Sequence, residues 1–128
     1  MEIIKIVTLS ISGLLLIYGG TSRVINPIKY YLKNTGIKLE NEVNLLSEAR
    51  GMSSVMMFGG IIIVSGIFIP ELTITSFAVA ILLFLGYGFG RSLSIALDGK
   101  PNKLLIQGLI SEIVLGAANI FCLINTLV

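Results

Sequence analysis

Histidine is absent from this chain and cysteine occurs once, at Cys122. The first absence removes the commonest zinc and haem ligand; the second excludes dithiol redox chemistry and an internal disulfide. Charge is scarce too. Asp, Glu, Lys and Arg make up 12% of the residues, where a soluble domain carries about 25%. The net charge is only +2 and no Lys/Arg-rich run occurs, so nucleic acid is not an expected partner. No metal and no cofactor is expected from this composition.

What is present in quantity is apolar. Hydrophobic residues make up 55% of the 128 positions, with a mean hydropathy of +0.97. A run of about 20 apolar residues crosses a hydrocarbon layer of ~30 Å, and four segments qualify, at about 3–20, 49–69, 72–97 and 104–128. Open sheet edges leave backbone groups unpaired in lipid, so the segments are expected to be helices. The expected fold is therefore all-α: one integral membrane domain built as a four-helix bundle. The start of the chain has a single Lys5 offset by Glu2 and no small-residue cleavage site, so the first segment reads as a retained helix.

The connections differ in kind. Pro70-Glu71 makes a tight hairpin between the second and third spans, because proline cannot continue the donor ladder. Asp98-Gly99-Lys100-Pro101 has turn chemistry and leads into the fourth span. The first connection, Thr21 to Ser47, is long. Within it Ile25, Ile28 and Leu32 share one helical side, with Lys29 and Lys33 displaced from it, as expected of a short helix in the headgroup plane. The first and third connections hold Arg23, Lys29, Lys33, Lys38, Lys100 and Lys103, against Lys5 alone on the other side. By the positive-inside rule the connections face the cytoplasm and both termini the periplasm.

Intramembrane ionisable residues cost roughly 2.5–3.5 kcal/mol each at a helix centre, so they mark sites. Arg91 lies about 9 Å inside the cytoplasmic end of the third span and Glu112 about 12 Å inside that of the fourth, at 1.5 Å per residue. The short turn between those spans makes an Arg91–Glu112 pair the economical reading; the alternatives are Arg91 snorkelling to lipid phosphate and Glu112 held protonated. Tyr87, Arg91 and Ser94 share one helical face. Gly108, Ser111, Glu112, Gly116 and Asn119 form a small and polar stripe on the fourth span. Gly86 and Gly90 form a small-xxx-small pair expected to admit another helix, and Gly108 and Gly116 are further packing candidates. Glu48 and Arg50 stand at the cytoplasmic entrance of the second span. The outer half reads as almost purely apolar, which favours a cavity open to the cytoplasmic leaflet over a through-pore.

At these residues the chain resembles a family of small bacterial membrane proteins. The resemblance rests on Ser47-Glu48-Ala49-Arg50-Gly51, Gly59-Gly60, Gly90-Arg91-Ser92-Leu93-Ser94, Asp98-Gly99-Lys100-Pro101 and Ser111-Glu112-Ile113-Val114-Leu115-Gly116. That family is the domain of unknown function 4345, and the likeness runs from about Leu46 to the C-terminus with the first helix in register. It implies a four-helix protein of the bacterial inner membrane and no activity. A fainter likeness, carried by Glu48, Arg50 and Arg91, is to the trimeric four-helix enzymes of eicosanoid and glutathione metabolism, whose Asn and Tyr spacing is not reproduced. The leading functional expectation is a membrane-embedded binding or assembly protein, homo-oligomeric, holding lipid or another anionic amphiphile against Arg50 and Arg91. The alternatives are a trimeric enzyme with an Arg-lined site and a small proton-coupled exporter using Glu112.

Overall fold

The computed structural model describes residues 2–128, which form five α-helices and no strand. They are α1 (Glu2–Ile25), α2 (Pro27–Thr35), α3 (Val43–Phe68), α4 (Thr73–Asp98) and α5 (Lys103–Leu127), with a single 3-10 turn at Pro70–Leu72 before α4. α1, α3, α4 and α5 are each long and apolar enough to cross a membrane. The chain is a multi-pass membrane protein built as a helical bundle.

Helix ends depart from the hydropathy boundaries because hydropathy marks the lipid-immersed stretch and capping chemistry marks the helix. α1 runs on to Ile25 rather than stopping near Gly20, and the Asn26 N–H still donates to Ser22 O. Asn26 then starts α2, its Oδ1 accepting from Lys29 N–H ahead of Pro27 in the first helical position, where a missing N–H costs nothing. α3 starts at Val43, six residues before the expected span, because the Glu42 carboxylate accepts from the N–H groups of Asn44 and Leu45. Asp98, expected in the turn, is the last residue of α4. Its Oδ2 accepts from Ser94 Oγ one turn back, and Gly99 at φ 108° makes the reversal.

The helices pack in the order α1–α3–α4–α5, with α5 returning only lightly to α1. The core is a thin apolar seam of Leu9, Leu16, Met56, Ile63, Phe77, Ala80, Phe84 and Cys122. Large apolar side chains cover the outside instead: Leu82 is 70% exposed and Phe89 71%, a surface that lipid solvates and water does not.

The close helix contact within the chain lies away from the Gly86–Gly90 pair. Gly86 and Gly90 are exposed and meet nothing within 4 Å in this chain. The tight crossing lies between Gly13 and Gly20 on α1 and Gly60 on α3. A Cβ on Gly20 would stand 2.6 Å from Met57 N and 2.8 Å from Ser53 O, and one on Gly60 2.8 Å from Gly13 O. Backbone so near leaves no room for a side chain, the condition under which small residues let helices associate in lipid. Of the other glycines, Gly116 is buried against Leu85, while Gly108 is half-buried beside Arg91.

The half of the bundle near the termini holds more polarity than expected, and most of it is answered internally; the buried Asn119 Oδ1 has no partner among the described residues. Thr73 Oγ1 donates to Gly66 O and Ser76 Oγ to Ile62 O, stitching α4 to the end of α3. Asn119 is fully buried; its Nδ2 donates to Ser12 Oγ at 3.0 Å and to Leu115 O at 2.8 Å. Cys122 Sγ donates to Thr8 Oγ1 at 3.7 Å. These pairs fix the register of α5 on α1, and hydropathy missed them because hydroxyl and thiol side chains barely lower a window average.

Candidate functional site

The two connections meet at one end of the bundle. Gly36 closes α2 in the left-handed conformation (φ 73°), its N–H donating to Tyr31 O, a conformation glycine adopts without a Cβ penalty. Asn102 reaches across to it: Nδ2 donates to Thr35 O at 2.7 Å while Oδ1 caps α5 at Leu105 N–H. The long connection is thereby held over the inside of the bundle and becomes the roof of a cavity.

That cavity has a volume of about 260 Å³ and is walled by Arg23, Tyr31, Thr35, Ser53, Tyr87 and Arg91. Met52, Ile37 and Leu105 complete it with apolar surface. Arg91 Nε lies 3.0 Å from Glu112 Oε1, their side chains 29% and 13% exposed, so the residues placed at similar depth by the short turn are brought together. The contact is ionic rather than an aligned hydrogen bond, for the buried Oε1 accepts none of good geometry among the described residues. Gly88, one turn before Arg91 on the buried side of α4, faces Ile113 and the Glu112 Cβ.

Arg23 is the residue that sequence reading missed. Counted there only as a connection charge, it belongs to the last turns of α1. Its guanidinium sits 4.9 Å from the centroid of the Tyr30 ring and 5.2 Å from that of Tyr31, within cation–π range. One terminal nitrogen donates to Met56 Sδ at 3.6 Å, and the buried Nε has no acceptor among the described residues. The signal was present: Tyr30 and Tyr31 follow Arg23 by seven and eight positions, and the break at Asn26-Pro27 turns them back onto it.

The expected site divides. Tyr87 and Arg91 line the cavity. Ser94 is exposed, bonded to Asp98, and borders only a cleft of about 90 Å³ that also touches Arg91 and Pro101. Glu48 and Arg50 are corrections: the early start of α3 puts both on its exposed second and third turns, and neither forms an ion pair among the described residues. Arg23 takes the place expected of Arg50. Two guanidinium groups against one carboxylate leave the site one positive charge in excess, and two phenols add hydroxyls.

A family model described as Domain of unknown function (DUF4345) matches residues 4–123. The chain belongs to this family. The match spans α1 with Arg23, the first connection and most of the stretch from Leu46 onward. No curated protein and no solved structure matches the chain, and no finding stands behind the fainter likeness to the trimeric enzymes.

Proposed function

We propose that this DUF4345 protein is a binding protein of the bacterial inner membrane that takes the acidic head of an amphiphile between Arg23 and Arg91. The observation that carries this reading is the charge count around the cavity: Glu112 answers one guanidinium, and the buried Nε of Arg23 has no protein acceptor among the described residues. A buried donor without a partner costs about 1–3 kcal/mol, more when charged, and an anionic oxygen removes that cost. Ile37, Met52 and Leu105 give the apolar remainder of the ligand a wall to lie against.

In this reading the first and third connections face the cytoplasm, both termini face the periplasm, and copies of the chain associate through the exposed Gly86 and Gly90 face of α4. Native mass spectrometry of the detergent-extracted protein tests the ligand: an acidic small molecule is retained by the wild type and lost from Arg23→Gln. Arg23→Gln is cleaner than any change at Arg91, since it strands no carboxylate. Retention by a folded Arg23→Gln protein, or a neutral retained molecule, would overturn the proposal. The same spectra give the subunit count, which Gly86→Leu should lower. Cysteine labelling at position 100 in a Cys122→Ser background tests orientation, and modification there by an impermeant reagent in intact cells would reverse it.

A further inference from the structure

A second group of polar side chains lies outside the bundle, in the angle between α1 and α2. The cleft has a volume of about 290 Å³ and is bordered by Tyr18, Ser22, Asn26, Lys29, Lys33 and Asn34. Lys29 and Lys33 are one helical turn apart on α2, so both ammonium groups serve the same opening. No carboxylate borders it, and neither lysine forms an ion pair among the described residues. Asn26 Oδ1 is already committed to Lys29 N–H, which leaves its NH₂ to offer. Two ammoniums, a hydroxyl, a phenol and an amide donor suit a multiply charged oxyanion and repel a cation.

The apolar surface beside the cleft separates two sources of such an anion. Val7, Ile11, Leu14 and Tyr18 follow one another at spacings of three and four along the outer face of α1, all exposed, and lead to the cleft. Tyr18 is 64% exposed and Ile25, at the rim, 72%. A free phosphate makes no use of this stripe; an acyl chain lies along it.

We propose that the α1–α2 cleft is a separate site for the phosphate headgroup of an anionic phospholipid, whose acyl chain follows the exposed stripe of α1. The site shares no bordering residue with the Arg23–Arg91 cavity, although Tyr30, which borders the cleft, has its ring 4.9 Å from the Arg23 guanidinium. The two proposals therefore fail independently.

Titration of phosphatidylglycerol into the detergent-solubilised full chain, read by native mass spectrometry, tests it. The Lys29→Gln/Lys33→Gln protein should bind roughly thirtyfold more weakly than the wild type, about fivefold per lysine. The charge-matched Lys100→Gln/Lys103→Gln protein should bind as the wild type does. Both lysine pairs are exposed, so all three proteins should share one melting temperature. Millimolar inorganic phosphate should leave that temperature unchanged. Equal affinity of the Lys29/Lys33 variant and the wild type would overturn the site, and an equal loss in the Lys100/Lys103 variant would reduce it to net charge. Stabilisation of the wild type by inorganic phosphate equal to that by phosphatidylglycerol would overturn the lipid assignment.

Discussion

Arg91 and Glu112 test how the charged end of the bundle is held. Removing one partner of a fully buried pair costs about 3–5 kcal/mol, because the other charge is left without an answer. Here the loss is smaller. Arg91 keeps 29% of its side-chain surface and the 3.0 Å contact to Glu112 is poorly aligned. Arg91→Ala should therefore lose about 2–3 kcal/mol, and Arg91→Ala with Glu112→Gln should recover part of it. Polar pairs between transmembrane helices average about 0.6 kcal/mol of coupling with a maximum near 1.7, and an ion pair belongs toward the upper end, at about 1–1.5 kcal/mol. The assay is a double-mutant cycle by SDS titration in mixed micelles. Coupling near zero, or an Arg91→Ala protein as stable as the wild type, would refute the reasoning.

Three further predictions concern the frame. Gly60→Ala should cost about 1–3 kcal/mol through overpacking, since its Cβ meets the backbone of α1, whereas Gly86→Ala should stay within about 0.5 kcal/mol; thermal unfolding in detergent compares them. Asn119→Ala should lose about 1–2 kcal/mol by stripping a fully buried amide of two bonds, and Ser12→Ala less, since Asn119 Nδ2 keeps Leu115 O; the same SDS titration ranks them. The backbone N–H groups of Asn44 and Leu45 hold the Glu42 carboxyl below its ordinary value of 4.5. A depressed folded value means its stabilisation is complete above pH 4.5 and lost as pH falls through the lower folded value. The melting-temperature gap between the wild type and Glu42→Ala should therefore close in acid, and a gap constant to pH 3 would contradict the cap.

The four spans were legible because their signal is additive: about 20 apolar residues in a row outweigh any single exception. The pairing of Arg91 with Glu112 was legible for a geometric reason, since one short turn holds two adjacent helices at matched depth. Helix ends were less so. Glu42 capping α3 and Asn26 capping α2 are decided by one or two hydrogen bonds to a single side chain, which leave no trace in a hydropathy window. The glycine contact inside the chain, between α1 and α3, was not legible because spacing alone does not say which way a face points. Gly86 and Gly90 fit the small-xxx-small pattern yet face outward, while Gly13, Gly20 and Gly60 meet across α1 and α3.

Arg50 and Arg23 show the same limit at the site. Both stand near the polar end of a span, and sequence position favours Arg50, which sits beside Glu48. What decides between them is the path of the chain. α1 carries its helix past the lipid-like stretch and delivers Arg23 inward, the Asn26-Pro27 break folds Tyr30 and Tyr31 back over it, and Asn102 pins the far end of α2 to the start of α5. α3 instead begins early, so Arg50 rides an exposed turn. The connection that looked like a tether between spans is thus the part that selects which arginine enters the bundle. The cavity between the spans is therefore shaped by the Arg23–Tyr31 segment as much as by the spans themselves.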